Sequence, residues 1–218
     1  MVWRPADRTL RVCFPSINNA AMTMSPRFAE AVGYAVEAHG GHTRKRSGSP
    51  YVSHLLEVTA EVLHHGGTEI EAIGAMLHDT VEDCGGTRRL RDIRERFGEE
   101  VAAIVEGCSD SLAEDPRNKA PWLDRKAAYI AHVPMASHSV RLVSAADKLA
   151  NARAVLDDYR EVGDAVWERF RGGREGTLHY YRAIADTLLA VERTRLTERL
   201  DRVVTELCRE TGYVLTSL

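Results

Sequence analysis

No apolar run in this sequence approaches the about 18 residues that a membrane-crossing helix needs, so no membrane span is expected. The four cysteines, Cys13, Cys84, Cys108 and Cys208, lie far apart and form no CxxC pair. That spacing argues against a disulfide framework or a zinc knuckle and fits a reducing cytoplasm. Charge of neither sign dominates: 29 Lys and Arg stand against 32 Asp and Glu, for a formal net charge of −3. A polyanion-binding tail is absent and no nucleic-acid partner is expected, although net charge leaves room for local basic clusters. Strand-like alternation and internal repeats are also missing. The N-terminal stretch has scattered arginines and no continuous apolar segment, which makes a poor signal peptide. Residues 1–24 read as a flexible extension, with Met22 and Met24 as alternative starts, and residues 25–218 as a single domain.

What is present is helical periodicity almost throughout. Ser25-Pro26 supplies a capping serine and a first-turn proline for a helix with Phe28, Val32, Ala35 and Val36 on one face. "GGHTRKRSGSP" breaks the pattern and reads as a loop, and "YVSHLLEVTAEVLHHGG" as a second helix ending at Gly66-Gly67. Thr68 can cap a third, "EIEAIGAMLHDTVEDC", running to Gly85-Gly86. Helical segments follow over "RRLRDIRERFG", "EEVAAIVEGCSD", "WLDRKAAYIAHV", "SVRLVSAADKLANARAVLDDYREV", "DAVWERFRGG" and "REGTLHYYRAIADTLLAV", with a polar, proline-containing loop over residues 111–121. A last helix, about residues 193–211, carries the stripe Leu196, Leu200, Val203, Leu207. Such stripes pack inside their own bundle more often than they join copies, so a homo-oligomer is the lesser of its two uses. The fold class expected is all-α, a multi-helix bundle.

One stretch stands out chemically. In "AMLHDTVEDCGG" an apolar lead-in runs into His78-Asp79 and then Glu82-Asp83. On one helix, His78 and Glu82 share a side, Asp79 and Asp83 share another, and the two sides are about 100° apart. A metal at that seam can take His78 and Asp79, with Glu82 and Asp83 one turn further on. Burial of such a cluster without compensation costs several kcal/mol per unpaired charge, and a divalent cation supplies the compensation. The plain alternative is a solvated acidic helix end, although carboxylates there oppose the helix dipole. His54, in "PYVSHLLEV", and Asp147, in "RLVSAADKLANAR", sit among core-like neighbours. Each alone is more often a satisfied core polar group. With His78-Asp79 they make a two-histidine, two-aspartate set, which suits Mn²⁺, Fe²⁺ or Zn²⁺ better than Mg²⁺.

The order H…HD…D resembles the HD-domain metal phosphohydrolases. The stretches "AHGGHTRKRSGSPYVSH", "AMLHDTVEDCGG", "RFGEEVAAIVEGCSD", "RLVSAADKLANARAV" and "VWERFRGGREGTLHYYRAI" narrow the resemblance to the hydrolase domain of the RelA/SpoT alarmone enzymes. It is strongest to the small stand-alone alarmone hydrolases, relatives of the metazoan SpoT homologue, and covers about residues 26–190. The resemblance implies an all-α bundle of the HD phosphohydrolase type, cytoplasmic, with Mn²⁺ (or another divalent transition metal) held by His54, His78, Asp79 and Asp147. It implies Glu82 and Asp83 as the acid-base pair, and Arg44, Lys45, Arg46, Tyr51 and Asn151 as nucleotide contacts. Taken alone, the basic trio reads as a solvated loop.

The activity implied is hydrolysis of the 3′-pyrophosphate of (p)ppGpp to GDP or GTP and pyrophosphate. An adenosine alarmone or NADPH is the alternative substrate, since both present a phosphorylated ribose. A catalytically silent binding domain would have lost a ligand or the Glu-Asp pair, and all six residues are present. Some positions depart from the family pattern. "RKRSGSPY" is one residue longer than the common "RKSGxPY", so Arg44 and Arg46 compete for one position. Leu55 replaces the usual proline, Ala150 a histidine, and Ala154 a threonine. The residues after 190 leave room for neither the synthetase domain nor the regulatory modules of the long enzymes, so alarmone synthesis is not expected.

Overall fold

The computed structural model describes residues 23–44 and 48–214. Lys45 and Arg46 lie outside the described residues, as does the expected N-terminal extension up to residue 22. Nine α-helices form among the described residues, with no strand. They are α1 (Pro26–Ala38), α2 (Val52–His64), α3 (Glu69–Leu77), α4 (Thr80–Cys84), α5 (Gly86–Cys108), α6 (Trp122–His132), α7 (His138–Val162), α8 (Gly173–Val191) and α9 (Arg195–Thr211). The all-α expectation holds. None of these helices is long and apolar enough to cross a membrane.

Local chemistry sets the boundaries. The Ser25 side chain accepts from the Arg27 N–H at the start of α1, and Thr68 and Glu71 form a reciprocal capping box on α3. Thr194 caps α9 in the same manner with Thr197. Gly98 takes φ 78° inside α5 and breaks it where the sequence suggested two helices, a conformation disfavoured for a residue bearing Cβ. In the 40–50 loop, Thr43 and Pro50 bridge across its arms and the Arg44 N–H donates to the Ser49 carbonyl at 2.9 Å, leaving the arms side by side.

Three expectations are corrected. The helix expected over residues 69–84 is two helices, because the chain leaves the regular ladder at His78-Asp79. There the His78 Nδ1 lies 2.8 Å from the Ala75 carbonyl and the Thr80 hydroxyl donates to the Leu77 carbonyl, so side chains take acceptors that backbone N–H groups would use. Residues Gly163–Arg169 form a 3₁₀ turn rather than a regular helix. On α1 the buried face is Ala31, Tyr34 and Ala35, and Val36 points to solvent at 51% exposure.

Apolar residues fill two adjoining cores. One packs α1, α3, α4 and α5 around Leu55, Ile73, Leu77, Ile93 and Phe97. The other packs α6 to α9 and the far side of α2 around Val58, Leu149, Ile184 and Leu200. Each such buried side chain contributes about 1.5–3 kcal/mol relative to exposure. Leu196, Leu200 and Leu207 of the α9 stripe are buried within the chain, with Val204 rather than Val203 as their fully buried partner. The stripe is therefore used inside the bundle. Helix α2 gives Leu55 to one core and Val58 and Val62 to the other, so His54 between them sits at the seam.

Candidate active site

Three segments bring ionisable groups to that seam. His54 comes from the first turn of α2, His78 and Asp79 from the turn between α3 and α4, and Asp147 from the middle of α7. The Nε2 of His54 lies 3.1 Å from Asp147 Oδ1 and 3.7 Å from Asp79 Oδ2. The Nε2 of His78 lies 3.1 Å from Asp79 Oδ2 and 3.6 Å from Asp147 Oδ1. All four residues singled out from the sequence as ligands thus converge.

The histidines bear on whether the cluster suits a metal. Both are buried, yet His54 Nδ1 and Nε2 and His78 Nε2 have no hydrogen-bond partner. His78 Nδ1 can donate to the Ala75 carbonyl, which fixes the tautomer and leaves the Nε2 lone pair facing the carboxylates. Buried polar atoms are rarely left unmatched. Separations of 3.1–3.7 Å are those of ligand atoms sharing one ion with bonds of about 2.1 Å. Ligand atoms of His54, His78 and Asp79 all lie within 4.8 Å of one another. The donor set therefore fits a divalent metal. Without one, burial disfavours the charged His78 ring, but the Asp79 and Asp147 carboxylates beside it together outweigh this and hold its pKa well above the usual range. Burial likewise acts against the Asp79 carboxylate, and the charge and hydrogen bond of His78, with His54, together offset it and pull the pKa down.

Supporting contacts reach outward. Tyr51 donates from Oη to Asp79 Oδ2 at 2.6 Å. Asn151 donates to Asp147 Oδ1 at 2.5 Å and accepts from Arg44 at 3.1 Å, while the Lys148 ammonium pairs with the other Asp147 oxygen. Tyr51 and Asn151, suggested as nucleotide contacts, hold the carboxylates of Asp79 and Asp147.

Glu82 and Asp83 lie in α4, a helix of five residues whose first turn is also its last. Glu82 Oε1 is 3.3 Å from Lys119 and 3.4 Å from Arg125, and Lys119 is 3.7 Å from Asp83. Burial, together with the neighbouring Asp79 and Glu82 charges, pushes the Asp83 carboxyl up to about 7. Burial and the Asp110 charge raise Glu82 as well. Asp110 is itself almost fully covered and pairs with Arg125 and, at 2.7 Å, with Lys126.

A cavity of about 490 Å³ opens beside these groups, lined by Arg44, Tyr51, Asp83, Asn151, Arg169, Phe170 and Tyr181, among others. Its size is that of a nucleotide pocket. Sequence reasoning missed the cations Lys119, Arg125 and Lys126, and the wall residues Arg169, Phe170 and Tyr181. Lys119 sat in a stretch read as plain loop. Arg169 and Phe170 fell inside a quoted resemblance motif without being assigned a role.

The family model for the HD domain matches residues 31–178. A zebrafish (Danio rerio) protein named guanosine-3′,5′-bis(diphosphate) 3′-pyrophosphohydrolase MESH1 is 38% identical over 128 residues. That alignment spans 57% of this chain and 66% of the relative, just under two thirds of its length. The mouse (Mus musculus) protein of the same name is 30% identical over 189 residues, 85% of this chain and 95% of the relative. A solved structure described as a metazoan ortholog of SpoT that hydrolyzes ppGpp superposes with TM-score 0.68. It covers 89% of this chain and 100% of its own at 24% identity, a likeness of fold.

Proposed function

The chain belongs to the HD-domain family, and we propose that within it this protein is a metal-dependent hydrolase of guanosine alarmones. It removes the 3′-pyrophosphate of (p)ppGpp and yields GDP or GTP and pyrophosphate. One observation carries the reading: two imidazoles and two carboxylates converge with unmatched nitrogen atoms beside a nucleotide-sized cavity. The relatives named for this reaction supply the substrate class. Residues 25–218 act as one hydrolase domain in this proposal.

His54, His78, Asp79 and Asp147 would hold the metal; this nitrogen and oxygen set suits Mn²⁺, Fe²⁺ or Zn²⁺ better than Mg²⁺, and Mn²⁺ is the ion the family resemblance implies. Such an ion, when bound, polarises a phosphoryl oxygen and lowers the pKa of a water towards neutrality. Glu82 and Asp83 would orient that water, and one of the two carboxylates would accept its proton. Burial keeps the Asp83 carboxyl above the ordinary carboxylate range, which favours proton exchange nearer neutral pH. Lys119 and Arg125 keep Glu82 in place. Arg44 and Arg169 on the cavity wall meet phosphate oxygens, for which a guanidinium is well shaped, and Phe170 and Tyr181 present ring faces to a base. Lys45 and Arg46 add positive charge to the same loop by the sequence pattern.

The test is product analysis. Chelated protein given Mn²⁺, Zn²⁺ or Mg²⁺ is incubated in parallel with ppGpp, ppApp and NADPH, and the products are separated by anion-exchange chromatography. Release of GDP and pyrophosphate from ppGpp, fastest with Mn²⁺, is expected. Turnover of NADPH alone would contradict the reading.

A further inference from the structure

A second group of metal-binding atoms lies apart from the four proposed ligands. His39 follows α1, His42 lies in the loop beyond it, and Cys84 ends α4. The Nδ1 atoms of His39 and His42 are 3.3 Å apart, Cys84 Sγ is 3.6 Å from His39 Nδ1, and ligand atoms of the three residues all fall within 4.8 Å. Zinc bonds of about 2.05 Å to nitrogen and 2.3 Å to sulfur, at tetrahedral angles, place neighbouring nitrogens about 3.3–3.4 Å apart and nitrogen about 3.5–3.6 Å from sulfur. The two edges match those lengths, but Cys84 Sγ also lies 3.8 Å from His39 Nε2, over the ring, so the Cys84 side chain has to turn to bring the sulfur round to an ion on the Nδ1 lone pair.

The surroundings suit an ion as well. His39 is buried and His42 exposed, so one side is left open to solvent for a fourth ligand. Burial pushes the His39 imidazole down to about 4, which keeps its lone pair free at neutral pH. The donor set also differs in kind from the first cluster, having a sulfur where that one has two carboxylates, and thiolate with imidazole selects softer ions.

We propose that His39, His42 and Cys84 form a second metal site that takes Zn²⁺ and leaves Mn²⁺ to the carboxylate-bearing cluster. On binding, the Cys84 thiol gives its proton to solvent and each Nδ1 offers its lone pair while Nε2 keeps the ring proton. The site would tie the cavity rim to the catalytic segment. His42 lines the cavity two residues before Arg44, and Cys84 directly follows Asp83. His39 stacks on Tyr51 with ring centroids 4.9 Å apart, and Tyr51 holds Asp79. A zinc ion there is a clasp between the loop after α1 and α4. The inference stands independently of the alarmone reading.

The test uses Co²⁺ as a spectroscopic stand-in for Zn²⁺, added to the chelated full-length protein. A thiolate-to-cobalt charge-transfer band is expected in the native protein, abolished by Zn²⁺ and unaffected by Mn²⁺. Cys84→Ser and His42→Ala should each lose the band and one equivalent of bound zinc while retaining the other equivalent. Zn²⁺ should also slow alkylation of Cys84 by iodoacetamide in the native protein and not in His42→Ala. A native protein without the band, or equal zinc uptake by all three proteins, would overturn the proposal and leave a hydrogen-bonded histidine pair with a packed thiol.

Discussion

The hydroxyl of Tyr51 donates a 2.6 Å hydrogen bond to Oδ2 of Asp79, the same oxygen that lies 3.1 Å from His78 Nε2. A residue on the cavity wall therefore aims a carboxylate at the proposed metal. Groups that orient ligands in this way typically matter about 10–100-fold in metal affinity or activity. Tyr51→Phe should raise the Mn²⁺ concentration for half-activation within that range, with a smaller loss at saturating metal. An unchanged half-activation concentration would show that the hydroxyl does not orient Asp79.

Glu82 should separate chemistry from metal binding. Its carboxylate faces Lys119 and Arg125 rather than the histidines. Glu82→Gln is expected to keep its metal, measured by elemental analysis, and to lose about 10²–10⁴-fold in kcat, as for removal of a general acid-base group. Full activity in this variant would remove Glu82 from the mechanism.

Asp83 makes a prediction about stability and pH. Its carboxyl rises from 3.8 to about 7 in the folded, metal-free protein, owing first to burial and then to the charges of Asp79 and Glu82. The folded state then holds more protons than the unfolded state across that interval, so this group's contribution to stability falls as pH rises through it. Thermal melts of the chelated protein should show Asp83→Asn gaining stability over the native protein between about pH 4 and pH 7 and levelling off above. A difference that is flat with pH would place the Asp83 carboxyl in ordinary solvent.

These roles were unevenly legible in the sequence. His54, His78, Asp79 and Asp147 could be found because each is a chemically distinctive residue in an otherwise apolar stretch, and the structure brings all four together. The helices showed through their apolar spacing and their Ser25 and Thr68 caps. The break at His78-Asp79 did not, because it depends on side chains competing for carbonyls, and the periodicity runs on through it. Lys119 and Arg125 were hidden for another reason: a cation in a loop or on a helix looks solvated until tertiary packing places it against Glu82. The second role of Tyr51, as the hydrogen-bond donor to Asp79, required the fold itself.

Gly74 makes a packing prediction about the helix that carries His78. A Cβ there would meet Ile104 Cγ2 at 2.6 Å and Cβ at 3.1 Å, and a β-branched neighbour cannot readily turn aside. Gly74→Ala should cost about 1–3 kcal/mol as overpacking, despite alanine's better helix propensity. Urea denaturation would check this, and a variant as stable as the native protein would mean that α3 and α5 can separate at little cost.

The most direct measurement is ppGpp hydrolysis by the native protein and Asp79→Ala, each stripped of metal and then given Mn²⁺. The native protein should be inactive when stripped and release GDP and pyrophosphate once Mn²⁺ returns, while Asp79→Ala recovers neither metal nor activity. Hydrolysis by Asp79→Ala at the native rate, or by the stripped native protein without metal, would contradict the four-ligand metal centre.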